Sequence, residues 1–158
     1  MNNEDPHNLE RFIAAQAQDY ESALGELRAG EKKSHWIWYI FPQIAGLGFS
    51  PMAARYAIQS NAEAIAYLEH KILGARLIEW SVALLSLNGQ RIEDIMGSPD
   101  DLKLRSSMTL FKEVSSSDSV FHNVLKIFYS GGEDSKTIDF LSWARGLIEC
   151  RILVSPSA

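Results

Sequence analysis

Ile72–Leu73–Gly74–Ala75–Arg76–Leu77–Ile78–Glu79–Trp80–Ser81–Val82–Ala83–Leu84–Leu85–Ser86–Leu87 is the stretch whose reading decides the fold. Ile72, Leu73, Leu77, Trp80, Leu84 and Leu87 recur at the three-and-four spacing of one helix face. Val82, Ala83 and Leu85 add apolar groups on the flanks, a pattern that belongs inside a protein rather than on its surface. The stretch predicts a long central helix, ended by Asn88–Gly89.

The segments on either side read as helices too. Toward the N-terminus, Asp5 followed by Pro6 is a cap-then-proline start, and Leu9, Ile13, Ala17, Tyr20, Leu24 and Leu27 form one stripe that stops at Gly30. Ser50–Pro51 opens a short helix to about Ile58, and Asn61 caps another over Ala62–Leu68. Toward the C-terminus, Ser98–Pro99–Asp100–Asp101 combines a serine cap, a proline in the first position and two acids at the positive end of the helix dipole. That helix is expected to reach about Val114. Val120–Tyr129 follows a polar break at Ser115–Asp118. A last helix, capped by Asp134 or Ser135, carries Ile138, Leu141, Trp143, Leu147 and Ile148. Period-two alternation is nearly absent. The expected fold is therefore all-α: an irregular, compact multi-helix domain around a central buried helix. Residues 1–158 read as one domain, ordered from about residue 5 to 150, with a tail that frays from Val154.

Composition narrows the function classes. A chain of 158 residues is long enough to bury a core, and its net charge of −5 disfavours nucleic acid, which selects for basic surfaces. The acidic start, with no apolar run behind it, argues against a signal peptide, and no stretch has the length of a membrane span. A single cysteine, Cys150, fits a reducing compartment. The chain reads as soluble and cytoplasmic. His7, His35, His70 and His122 show no ligand spacing and Cys150 has no partner, so neither metal nor cofactor is expected. There is no phosphate-binding glycine loop and no serine elbow.

Two segments carry more polar chemistry than their local structure needs. The first is Ser34–His35–Trp36–Ile37–Trp38–Tyr39–Ile40–Phe41–Pro42–Gln43, a short helix or strand dense in rings. Trp36 and Trp38 could stack a flat ligand or pack in the core; in a helix they face different ways. Gln43 could read a polar edge or close a loop. His35 could act as a general base or sit half-buried against a carbonyl. The second segment holds Lys103, Arg105, Ser106, Ser107 and Thr109. Hydroxyls are poor helix formers, so this is either an anion-binding face or a helix with local hydroxyl-to-carbonyl bonds. Arg76 and Glu79 read as an ion pair, and His70 as a cap or a ligand.

Three motifs carry a family resemblance. Lys33–Ser34–His35–Trp36 through Ile40–Phe41–Pro42–Gln43 to Gly46–Leu47–Gly48 is one. Ala66–Tyr67–Leu68–Glu69–His70 with Leu73–Gly74–Ala75–Arg76–Leu77 is the second, and Asp101–Leu102–Lys103–Leu104–Arg105–Ser106–Ser107–Met108–Thr109–Leu110–Phe111 the third. Together they resemble an uncharacterised bacterial family, the domain of unknown function eighteen-ten, whose members are often mislabelled calpastatin. Lys71 departs from the family's usual proline. The resemblance implies a compact all-helical fold and no established activity. A fainter likeness, in the order of a basic Met-containing helix, a helix, then glycines and an acid, is to a helical family acting on ADP-ribose adducts.

Two functions follow as expectations. One is a small-molecule pocket shared by the two segments: a flat ring on Trp36 or Trp38, oriented by Gln43, its anionic group met by Lys103 or Arg105, with Ser106 and Ser107 nearby. If chemistry occurs there, His35 is the base and a nucleotide or ADP-ribose derivative the substrate class. The other is a non-catalytic module whose exposed aromatic patch docks a protein partner.

Overall fold

The computed structural model describes residues 4–143. The expectations for Leu147, Ile148, Cys150 and the tail concern residues outside this range. Among the described residues the fold is all-α, with one isolated parallel bridge, Ile44 to Ile58, as its sole extended pairing.

Helix α1 (Glu10–Ala29) starts later than its cap suggests. Residues 5–8 first make a turn, and the Asp5 carboxylate then accepts from the N–H groups of Leu9 (2.7 Å) and Glu10 (3.0 Å). Gly30 closes α1 in the left-handed conformation (φ 75°), with Gly30 N–H on Leu27 O and Glu31 N–H on Glu26 O. Two short helices follow, α2 (Ile37–Ile40) and α3 (Pro51–Tyr56), the second capped by Ser50 as its sequence predicts. For α4 (Asn61–Glu69) the cap is Ser60 rather than Asn61, because the Ser60 hydroxyl takes the Glu63 N–H.

Helix α5 (Leu73–Leu85) is the predicted central element. Leu73, Leu77, Trp80 and Leu84 are wholly buried, and α1, α4 and α8 (Val120–Tyr129) pack around it. The flank with Ile78 and Val82 stays exposed, so burial covers one broad face only. His70 caps α5: its Nδ1 accepts from the N–H groups of Ile72 (3.1 Å) and Leu73 (3.3 Å).

Helix α6 (Ile92–Met96) is absent from the sequence reading, since five residues are too few to display a period. Helix α7 (Asp100–Glu113) shares the centre with α5 and touches α2, α4, α6 and α8. Ser98 does not cap it. Gly97 O already accepts the Asp101 N–H that a Ser98 cap would take, and Pro99, after a cis peptide bond, occupies the cap position. The last helix, α9, runs over 135–143 within the described residues and is capped by Asp134, whose carboxylate accepts from Thr137 N–H (2.9 Å).

One buried side chain joins four of these helices. The Gln16 amide donates to Tyr39 O (2.8 Å) and to the Tyr67 hydroxyl (2.9 Å), and its oxygen accepts from Arg76 (3.3 Å). Gln16 is fully buried, and these three partners lie on α2, α4 and α5. Arg76 therefore serves α1 rather than pairing with Glu79, which takes the Tyr20 hydroxyl at 2.6 Å.

Gly74 sets the approach of α4 to α5: a Cβ there would lie 2.1 Å from the Leu68 carbonyl oxygen. Gly25, on the exposed side of α1, has nothing within 4 Å. Gly74→Ala should destabilise by about 1–3 kcal/mol or more, whereas Gly25→Ala should stabilise by about 0.4–1 kcal/mol. Urea unfolding of both variants checks the pair; equal effects would refute the close approach.

Candidate functional site

The aromatic segment is held by a carboxylate on α1. Glu26 accepts from Lys33 N–H (2.5 Å), Ser34 N–H (2.8 Å), the Ser34 hydroxyl (2.8 Å) and the Trp36 indole N–H (3.2 Å). Burial alone would raise its pKa, but the hydrogen bonds from Lys33, Ser34 and Trp36 outweigh it and hold the carboxyl below its usual value of 4.5. Lys32 continues the clamp: its backbone N–H donates to Ile95 O (2.7 Å), and its ammonium pairs with Asp100 at 2.8 Å and lies 4.8 Å from the Trp36 ring centroid. Loop, α1, α6 and the start of α7 are thus fastened together.

With that clamp in place, the single turn of α2 divides the tryptophans. Trp36 goes wholly inside, while Trp38 remains half-buried on the other side. Pro42 ends α2, and the chain then pairs with residue 58: Ile58 N–H donates to Gln43 O and Ala45 N–H to Ile58 O, both at 2.8 Å. This bridge sets Gln43 beside Trp38. The Gln43 carboxamide has no hydrogen bond to another described residue. The return to α3 is tight, because a Cβ on Gly48 would lie 2.6 Å from that of Ala53.

Helix α7 supplies the facing wall. Lys103 places its ammonium 5.0 Å from the Trp38 ring centroid and 3.5 Å from an Asp100 oxygen. Arg105 donates from Nε to Gly132 O (2.8 Å) and leans on the Tyr129 ring (5.9 Å to the centroid). Burial pushes the Tyr129 hydroxyl pKa up, and that hydroxyl donates to Asp101 O at 2.6 Å. Two α7 hydroxyls make local bonds: Ser106 donates to Leu102 O (3.1 Å), and Thr109 to Arg105 O (2.8 Å) while accepting from Asp134 N–H (2.9 Å).

Between the walls lies a cleft of about 490 Å³ lined in part by Trp38, Gln43, Phe49, Lys103, Arg105 and Lys136. That volume is within the range of small-molecule sites, roughly 300–1,000 Å³. Its lining carries three cations and one carboxylate, Asp134, which is tied up in capping α9. Among the described residues Arg105 and Lys136 have no carboxylate within ion-pair distance.

Of the side chains that the sequence assigns to a shared pocket, Trp38, Gln43, Lys103, Arg105 and Ser106 line this cleft. Three do not. Trp36 is fully buried with its indole N–H on Glu26, so no ligand can stack on it without opening the core. Ser107 is also fully buried, because the α7 face open at Lys103 is covered one turn later; its hydroxyl has no partner among the described residues. His35 is exposed and outside the lining. Phe49 and Lys136 were missed. Phe49 is 96 % exposed at the cleft edge, and its only signal was an aromatic ring directly after Gly46–Leu47–Gly48. Lys136 gains meaning only from where α9 docks.

An all-α domain with a cationic, aromatic-walled cleft is thus defined. The family described as Protein of unknown function (DUF1810) matches residues 6–141, and the chain belongs to that family. A solved structure, the conserved hypothetical protein Rv1873 from Mycobacterium tuberculosis, is similar to it at 50 % identity and a TM-score of 0.85. The match covers 87 % of this chain and 99 % of that one. Among curated proteins none matches. No helix among the described residues is long and apolar enough to cross a membrane, and no group of three or more His, Cys, Asp or Glu among them could hold a metal ion.

The Glu26 clamp has a pH signature. A carboxyl whose pKa falls on folding contributes stability above its unfolded value, and that contribution is lost as pH drops through the folded value. Glu26→Gln should cost about 1–3 kcal/mol at pH 7, and the gap to the parent protein should narrow as pH falls below about 4.5. Denaturant unfolding at pH 7 and pH 4 measures this; a gap independent of pH would refute it.

Proposed function

We propose that the cleft binds a small anionic molecule with a flat ring, of the nucleotide or ADP-ribose class. The observation that carries this reading is the charge of the lining: three cations and one engaged carboxylate in a chain whose net charge is −5. Lys103, Arg105 and Lys136 offer charged donors to phosphate, Trp38 offers a ring face, and Gln43 offers a carboxamide uncommitted among the described residues. Ser106, whose hydroxyl hydrogen goes to Leu102 O, can still accept a hydrogen bond at the cleft wall. The proposal is of binding; with His35 outside the lining it assigns no base and no reaction.

A second reading is a protein-docking surface, favoured by Phe49 at 96 % and Leu102 at 53 % exposure on the same rim. The two readings differ in what a small anion does. Under the first, AMP, ADP or ADP-ribose raises the melting temperature by mass action. Lys103→Ala then weakens that ligand by about 10- to 150-fold, the loss of one hydrogen bond to a charged group, and added salt weakens it further. Under the second, none of these ligands shifts the melt and Phe49→Ser leaves stability unchanged. Thermal melts with each ligand, followed by calorimetry on Lys103→Ala, decide between them; binding that survives Lys103→Ala intact would refute the cationic cleft as the site.

A further inference from the structure

A second cavity of about 200 Å³ adjoins the cleft, and Trp38, Gln43, Gly48 and Ala53 line both. The two rooms differ in chemistry. The larger holds Lys103, Arg105 and Lys136, whereas among the described residues no charged side chain lines the smaller. The annex is walled by the Trp38 and Tyr56 rings, by small residues such as Ala54 and Ala57, and by the carboxamides of Gln43 and Gln59. Gln59 donates one N–H to Ala57 O (3.3 Å), whereas the Gln43 carboxamide, at the junction of the rooms, is uncommitted among the described residues.

We propose that the two rooms divide one ligand, an adenine nucleotide: the base enters the neutral annex and is read by Gln43, while its phosphates stay in the cationic cleft. This rests on the nucleotide reading given above and adds to it an orientation, a base and a specificity-determining residue. Size supports the division, since a protein cavity of about 150 Å³ holds one benzene ring and the annex has room for a single heterocycle. Desolvation supports the orientation: a phosphate in a room without cations would lose its hydration unpaid, whereas a neutral base would not. The choice of base comes from the carboxamide. Its N–H and C=O form the two-bond pairing that glutamine makes with the N6 amino group and N7 of adenine. Hypoxanthine, which has a carbonyl in place of that amino group, would set two acceptors against one donor.

Calorimetry with AMP, inosine monophosphate and inorganic pyrophosphate tests this on the full chain. Ala54 is exposed on α3 and lines only the annex, so Ala54→Leu fills that room without entering the core. The parent protein should bind AMP about 5- to 150-fold more tightly than inosine monophosphate. Gln43→Leu should abolish that preference. Ala54→Leu should weaken AMP while leaving pyrophosphate within about twofold, a change of under 0.5 kcal/mol. Equal affinity of the parent for AMP and inosine monophosphate, or AMP binding indifferent to Ala54→Leu, would overturn the proposal even if pyrophosphate binds. Failure of all three ligands to bind the parent would instead remove the nucleotide reading on which it rests.

Discussion

The Glu26 carboxylate is the constraint on which the cleft depends. It stands in the last two turns of α1 and collects two backbone N–H groups, a serine hydroxyl and an indole N–H from a segment with no regular structure of its own. A loop of that kind is expensive to order. Bonding its donors to a charged acceptor supplies the compensation, because charge-assisted hydrogen bonds are the stronger kind. The result is directional: Trp36 is drawn inward, and two residues on, little more than half a helical turn, Trp38 faces the other way. The site's aromatic wall is set by a residue that does not line it.

The same logic recurs through the interior. Buried polar groups cost free energy unless they are bonded, and this fold uses several as fasteners between elements. Gln16 reaches α2, α4 and α5. Arg11 donates to the carbonyls of His7, Asn8, Arg55 and Ala57 and pairs with the buried Glu63 at 2.7 Å, so α1 is sewn to the chain on both sides of Ser60. The Arg11–Glu63 pair itself adds little net stability, since its attraction largely goes to offset its own desolvation. Short helices that could not hold a position by apolar contact alone are placed by these bonds.

Charge in the cleft runs against the charge of the chain. An acidic protein that gathers Lys103, Arg105 and Lys136 around one opening creates a local positive field. Lys103 is held between Asp100 and the face of Trp38. Arg105 is oriented by Gly132 O, with a guanidinium nitrogen 2.7 Å from where a Cβ of residue 132 would stand. Gly132 thus makes room for a cleft residue.

The all-α class, the longer helices, the central place of α5, the cap at Ser50 and a cap at Asp134 or Ser135 were legible in the sequence, because period and capping are local properties of the chain, whereas the five-residue α6 was not. The caps of α4 and α7 each lie one residue from the sequence reading, Ser60 in place of Asn61 and Pro99 in place of Ser98, since competing acceptors close in space decide which one takes an N–H. Of the candidate site, Trp38, Gln43, Lys103, Arg105 and Ser106 could be named because each carried polar or aromatic chemistry beyond the needs of its own turn. Which tryptophan faces outward, that Ser107 is sealed while Lys103 is open, and that Phe49 and Lys136 meet at one opening were settled only by tertiary structure. Those outcomes depend on what packs against a helix face, and the covering groups lie tens of residues away along the chain.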